Sequence, residues 1–335
     1  MRNETRKLFN DFQSRLATLN GVDSVGAKFT VEPSIQQTLE TRMQESSEFL
    51  NSINVIGVNE QSGEKLGLGV SGTIAGRTNT KNEDRQPIDP TDMEGAGYFC
   101  HQTNFDTALR YNKIDAWAKF KDFQTRIRDA ILKRQALDRI MIGFNGTQAA
   151  AETDRNANPL LQDVNIGWLQ KMRTHAAERV MTEGAPSSGK ITIGSTGDYK
   201  NLDALVYDMV NELIDPWHQD DTELVVLTGR KLLSDKYFPL VNSDLPPTEK
   251  TAADMMISQK RIGGLQAVRV PHFPANTLMV TRLDNLSLYW QEGSRRRTIL
   301  DNPKRDQVEN YESSNDAYVV EDYGCAAAAE NIELA

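Results

Sequence analysis

Four histidines, two cysteines, a glycine-rich motif and two clusters of charge are the features of this chain that could do chemistry. His101, His175, His218 and His272 sit in four separate stretches. No HxxxH or HExxH spacing gathers them with carboxylates or thiols into a zinc site. Each reads as a packing or surface histidine. Cys100 and Cys325 form neither a CxxC nor a metal spacing, which implies a reducing compartment and no disulfide framework. Asp215, Asp220, Asp221 and Glu223 lack the alternating ligands and sixth-position glycine of a calcium loop, so they read as a solvated loop. Gly67, Gly69 and Gly72 spell GxGxxG. A dinucleotide turn needs an apolar strand before it and a helix start after it, whereas here GEKLG precedes and TIAGRTNT follows. A flexible hairpin fits better. Arg295, Arg296, Arg297, Lys304 and Arg305 could meet phosphate, but Asp301, Asp306, Glu309 and Glu312 lie close by. Ion pairing between subunits is the favoured reading of that cluster, with phosphate contact as the alternative. These residues make up no catalytic centre, and neither a cofactor nor a metal is expected.

The elements around these residues look like scaffolding. Asp115 to Phe144 reads as one unbroken helix, with Trp117, Phe120, Phe123, Ile127, Ile131, Ile140, Met141 and Phe144 mostly at helical spacing. Such a rod would be about 45 Å long. It needs an equally long cover, from the preceding strand or from neighbouring subunits. That strand, Tyr98 to Ile114, places Phe99, His101, Thr103, Phe105, Thr107, Leu109 and Tyr111 on one face. Upstream, Glu4 to Leu19 forms an amphipathic helix with Leu8, Phe12, Leu16 and Leu19 on one side, stopped by Asn20-Gly21. In this arm Arg2, Arg6, Lys7, Arg15 and Lys28 outnumber Glu4, Asp11 and Asp23. After a linker from Gly21 to Glu32, Ser34 and Gln37 make a capping-box pattern for a second helix running to about Ile53. Set between a linker and a glycine-rich stretch, it reads as an arm that packs on a neighbour. Gly57 to Gly97 reads as an extended hairpin, Leu66, Leu68, Val70 and Ile74 alternating along it.

Downstream the element types alternate. Helices are expected at Asp163 to Val180, Leu202 to Leu213, Lys231 to Leu240 and Thr251 to Gln259, and strands at Leu224 to Leu227, Ala267 to Val270 and Thr277 to Thr281. From Leu286 short strands dominate, and they are available to return to the early strand and helix. The run Ala326 to Ala329 is too short to assign. The fold class is α+β.

Composition agrees with an assembling scaffold. With 39% apolar residues and a mean hydropathy of -0.54 the chain is polar for its length, as suits arms and loops buried between subunits. Its net charge of -9 argues against a dedicated nucleic-acid binder. No apolar run of membrane-spanning length occurs, and synthesis in the cytoplasm is expected.

The run YFCHQTNFDTALRYNKIDAWAKFKDFQTRIRDAILKRQALDRIMIGFNG, then NPLLQDVNIGWLQKMR, ISQKRIGGLQAVRVPHFPA and VENYESSNDAYVVEDY, closely resembles the major capsid protein of Peduovirus-type tailed phages. FTVEPSIQQTLETRMQESSEFL extends the resemblance upstream, so that it covers nearly the whole chain. The resemblance implies a Hong Kong 97-type capsid fold divided as N-terminal arm (1–32), N-arm helix (33–56), extended loop (57–97), peripheral domain with a spine helix (98–200), axial domain (201–283) and return strands of the peripheral domain (284–335). It implies hexamers and pentamers that assemble with a scaffolding protein, a portal protein and head-completion proteins into an icosahedral shell. That shell encloses double-stranded DNA without reading its sequence. It also implies proteolytic removal of the arm, with the match at KFTVEPS putting the cut near Phe29 and Thr30. The chain would be a virion component made in the bacterial host cytoplasm. An encapsulin-like shell enclosing enzyme cargo is the alternative on the same fold, and a nucleotide-dependent enzyme is a third reading.

Overall fold

The computed structural model describes all residues except 66–68, 71–74, 76, 83, 86–90, 93–96, 119, 121–122, 235, 237–259 and 335. Part of the expected extended hairpin, including Gly67 and Gly72, therefore lies outside the described residues, as do the helix expected at Thr251 to Gln259 and half of that at Lys231 to Leu240.

The strand Gln307–Val320 is the hub of a seven-stranded sheet. It pairs antiparallel with Arg296–Asn302, Leu286–Gln291, His101–Asn104 and Thr107–Arg110, so the late chain does return to the early strands. At 14 residues it is not one of the short strands expected from Leu286 onward. Pairing with four partners stabilises a length that its polar sequence does not suggest. The early strand, expected to run unbroken to Ile114, is divided into Tyr98–Phe99, His101–Asn104 and Thr107–Arg110. Its ladder ends where Arg110 meets Gln307, the first residue of the hub, and there the chain turns into the helix Tyr111–Trp117.

The expected single long helix is consequently two. Tyr111–Trp117 ends at Ala118, and the spine proper is Phe123–Asn145, about 35 Å long at the usual rise. The two cover different apolar clusters. Tyr111 and Ile114 join Phe9, Val25, Phe29, Val31, Ile299 and Val308, whereas Leu132, Ala136, Ile140 and Phe144 join the main core around Trp168 and Tyr318.

The helix Trp168–His175 crosses the spine at a pair of glycines. A Cβ on Gly143 would lie 2.2 Å from the Trp168 ring, and one on Gly167 would lie 2.4 Å from the Gly143 carbonyl. Residues 163–167, expected to be helical, form a loop instead, its buried Asp163 accepting from the Asp154 amide and the Asn158 side chain.

A second, six-stranded sheet runs in the order Arg261–Ile262, Leu265–Arg269, Val225–Thr228, Leu278–Thr281, Ala327–Ala329, Val180–Met181. The helix Leu202–Leu213 forms at its expected bounds, capped by Asn201, whose side chain accepts from the Ala204 amide at 2.8 Å. It buries Leu202, Leu205, Val206 and Met209 on this sheet. The alanine run, unassigned from sequence, is the strand that joins the two cores. Ala326 and Ala328 pack with Trp168, Leu169 and Met172, while Ala327 and Ala329 pack with Leu205, Val206 and Met209. A strand covered on both faces by close helices has room for methyl groups and little more. The last segment, expected to return wholly to the first sheet, thus passes through the second at Ala327–Ala329 and ends in a separate two-stranded sheet, with Ile332–Leu334 pairing parallel to Ile191–Ile193.

Candidate functional site

The residues singled out for chemistry do not converge. Burial pushes the Cys100 thiol up to about 12 and the Cys325 thiol to about 11, leaving no thiolate nucleophile. Among the described residues no group of His, Cys, Asp and Glu could hold a metal ion. His218 lies 3.0 Å from Asp322. The acidic loop is paired within the chain: Asp215 with Arg179 at 2.7 Å, and Asp221 and Glu223 each with Arg282 at 2.8 Å. Gly69 belongs to a two-residue strand paired at Asp92.

Within the basic cluster, Arg295 departs from both sequence readings, whereas Arg296, Lys304 and Arg305 are exposed. Arg295, expected at a subunit contact or on phosphate, is 1% exposed and sits inside its own chain. Its Nε donates to Glu312 Oε1 at 2.7 Å, its Nη1 to Glu40 Oε1 at 2.7 Å and its Nη2 to Gln135 Oε1 at 3.0 Å. A second buried arginine, Arg139, completes the network. Its Nε and Nη2 grip Asp316 at 3.1 and 3.0 Å, Nη2 also donates to Ser314 Oγ, and Nη1 pairs with Glu40. Gln135 Nε2 closes the circuit on Glu312 at 3.2 Å. Arg297 turns to Asn310 at 2.7 Å, and Arg296 alone of this arginine triplet is exposed.

The elements explain this convergence. Gln135 and Arg139 are one turn apart on the spine, and Glu312, Ser314 and Asp316 share one face of the hub strand. Glu40 comes from the helix Pro33–Glu45, whose buried stripe is Gln36, Glu40 and Met43. That helix, expected to pack on a neighbour, is locked onto its own subunit. Pro33 opens it and no side-chain cap forms, so the expected capping box is absent. It also ends at Ser46, short of Ile53, and Glu48–Ser52 is a separate turn of helix.

Three carboxylates share two guanidinium groups here, and their titrations divide accordingly. Burial alone would raise Glu312, but Arg295, Arg297 and the hydrogen bonds from Arg295 and Gln135 outweigh it and hold the carboxyl at about 2. Glu40, also opposed by burial, is held low by Arg139 and Arg295. Burial raises Asp316 more than Arg139 lowers it, with Glu40 adding to the rise. A carboxyl whose folded value is depressed contributes stability above its ordinary value and loses it as the pH falls toward the folded one. For Glu312 that window runs from 4.5 down to about 2, and its full loss amounts to about 3 kcal/mol. Asp316 acts with the opposite sign and offsets part of this. Stability by urea denaturation should therefore fall between pH 5 and pH 3 by about 2 kcal/mol, and the fall should shrink in Glu312→Gln. Equal stability at the two pH values would contradict this assignment.

The expected cleavage residues are also ordered. Phe29–Thr30 pairs antiparallel with Arg297 and Arg296 at the sheet margin, and Phe29, Val25 and Val31 are buried. The linker is thus stitched down, with the Val31 amide on the Arg295 carbonyl and the Ile299 amide on the Val25 carbonyl, both at 2.9 Å. In the arm helix Asn3–Leu19 the buried residues are Thr5, Phe9 and Ala17, one step round from the expected stripe, and Leu8 and Leu19 are exposed. Arg6 fixes it to Asp301 and lies over the Tyr111 ring.

Similarity to known proteins places this chain in a family. The family model described as phage major capsid protein, P2 family, matches residues 8–332. The capsid protein of Escherichia phage P2 is 54% identical over all of this chain and 96% of its own length. The major capsid protein of Serratia phage KSP20 is 42% identical over all of this chain and 98% of its own. A chain of the satellite phage P4 procapsid, which includes a size-determination protein, superposes with a TM-score of 0.84 at 51% identity, covering 100% and 99% of the two chains. At 15% identity a cyanophage A-1(L) capsid chain shares the fold alone, with a TM-score of 0.52 over 91% of this chain and 94% of its own. The fold is the Hong Kong 97-type α+β capsid fold. Among the readings weighed from sequence, the phage shell protein stands ahead of the encapsulin-like shell and the nucleotide enzyme. The chain belongs to the P2 family of phage major capsid proteins, the proteins that form the head shell.

Proposed function

We propose that this chain builds its shell as hexamers and pentamers on a scaffolding protein, with portal and head-completion proteins joining, and that the shell encloses double-stranded DNA without sequence-specific contact. It has no catalytic role of its own. The seven-stranded sheet with the spine serves as the peripheral domain, and the six-stranded sheet serves as the axial domain facing the capsomer centre. The observation that carries this reading is the use of clustered charge: Arg139, Arg295, Arg179 and Arg282 are all spent on ties within the subunit. Those ties leave a rigid block. Around the six-stranded sheet Tyr207 is 64% and Trp217 51% exposed, aromatic surface suited to contacts with other copies.

Maturation removes the arm near Phe29 and Thr30. The bond lies in an extended segment, the backbone form that proteases bind, but it must first peel from Arg296 and Arg297. Cleavage would then uncover Tyr111, Ile114, Ile299 and Val308. Intact-mass measurement on purified DNA-filled particles should find this chain as the main protein, beginning near Thr30. A chain that still begins at residue 1 or 2 there would refute processing, and particles lacking the chain would refute the assignment.

A further inference from the structure

Helix Trp168–His175 carries Lys171 and His175, and Lys171 acts electrostatically on His101 at the start of the strand His101–Asn104. Lys171 and His175 are one turn apart on the same helix face. Lys171 is half-buried, and none of the side-chain hydrogen bonds or ion pairs among the described residues involves its ammonium. Burial pushes its amine below the ordinary lysine value with no carboxylate opposing the shift. Burial and then Lys171 push His101 down, and burial, Lys171 and Lys65 do the same to His175. Lys65 sits 4.1 Å from the centre of the Tyr323 ring, against which His175 also packs at 5.8 Å. His101 and His175 therefore both lie within electrostatic reach of Lys171.

The neighbouring charges are committed elsewhere. Arg173, on the same helix, is paired with Glu330 at 2.7 Å. Asp316, opposite His101 in the ladder, is gripped by Arg139 at 3.0 Å. A half-buried lysine without an acid is an unfavourable arrangement in an isolated subunit. Contact with an incoming carboxylate would relieve it. Beside the cluster Phe99 is 48% exposed, its ring 4.7 Å from that of His101, which puts apolar contact surface next to the charge. The chain carries 47 acidic residues against 38 Lys and Arg, so another copy is a rich source of carboxylates at high local concentration in a shell.

We propose that Lys171, with His101 and His175 beside it, is the docking site for a carboxylate side chain of a second copy of this chain in the assembled shell. This rests on the shell-building reading and names one of its subunit contacts. Shells assembled from an equal mixture of isotope-labelled and unlabelled chain, treated with a water-soluble carbodiimide and digested, should yield Lys171 linked to an Asp or Glu peptide with mixed labels. Lys171→Gln should keep the wild-type Tm yet assemble only at a roughly tenfold higher threshold concentration, and Lys171→Arg should restore assembly. Links confined to one label, an unlinked Lys171, or a wild-type threshold in Lys171→Gln would overturn the proposal. So would protection of Lys171 in DNA-filled particles but not in empty shells, which would assign the site to phosphate. A wild-type chain that forms no shells would sink the shell reading along with this one, whereas shells without the mixed link would sink this one alone.

Discussion

Arg139→Leu should destabilise the folded subunit by about 3–5 kcal/mol, among the largest effects of any single substitution in this chain. The side chain is 1% exposed and holds Asp316 through two nitrogens while pairing with Glu40. Its removal leaves Glu40 and Asp316 buried with Arg295 as the remaining guanidinium, and Arg295 already serves Glu312. Lysine should not rescue the loss, because an ammonium cannot reproduce the planar grip on Asp316 and reach Glu40 as well. Replacing Arg139 and Asp316 together by leucine should cost less than Arg139→Leu alone, since fewer charges are left unpaired. Urea denaturation of the three variants provides the test. A loss under 1 kcal/mol in Arg139→Leu would show that the network does not tie the Pro33–Glu45 helix to the spine.

Trp168→Ala should cost a similar amount, about 3–5 kcal/mol, through a different mechanism. The indole is fully buried among Phe49, Phe144 and Tyr318, and its Nε1 donates to the Ser287 carbonyl at 3.0 Å. Truncation opens a cavity where the two cores approach and orphans that carbonyl. The same contact can be disturbed from the other side. Gly143→Ala would force a methyl into the Trp168 ring, so overpacking should cost about 1–3 kcal/mol without removing any contact. Thermal unfolding of both variants should show lowered Tm, and an unchanged Tm in Gly143→Ala would mean the spine and the Trp168–His175 helix do not cross as described.

How much of this was legible in the sequence depended on whether burial was apolar. Helix Leu202–Leu213 and strand Leu278–Thr281 stood out because their buried faces are hydrocarbon, and the arm helix was found with its stripe one step off. The hub strand was underestimated because its inner face reads Glu312, Ser314, Asp316, a polar series that looks solvated until Arg139 and Arg295 are placed against it. Glu40 was missed for the same reason. It sits among apolar Ile35 and Leu39 in sequence, yet the most buried positions of the helix are Gln36 and Met43. The signal available was the pairing in kind: an arginine within a core-facing helix and another just before a strand require buried carboxylates somewhere in the chain. The alanine strand failed for lack of side-chain bulk, since propensity and periodicity both depend on side chains that a doubly covered strand excludes.

The central claim is that this polypeptide is a shell subunit, and it is tested most directly by electron cryo-microscopy of the chain produced together with its scaffold. The expected result is closed icosahedral particles whose subunit density contains the Phe123–Asn145 spine lying across the Gln307–Val320 strand. A chain that stays monomeric, or that gathers only into open irregular aggregates under those conditions, would contradict it.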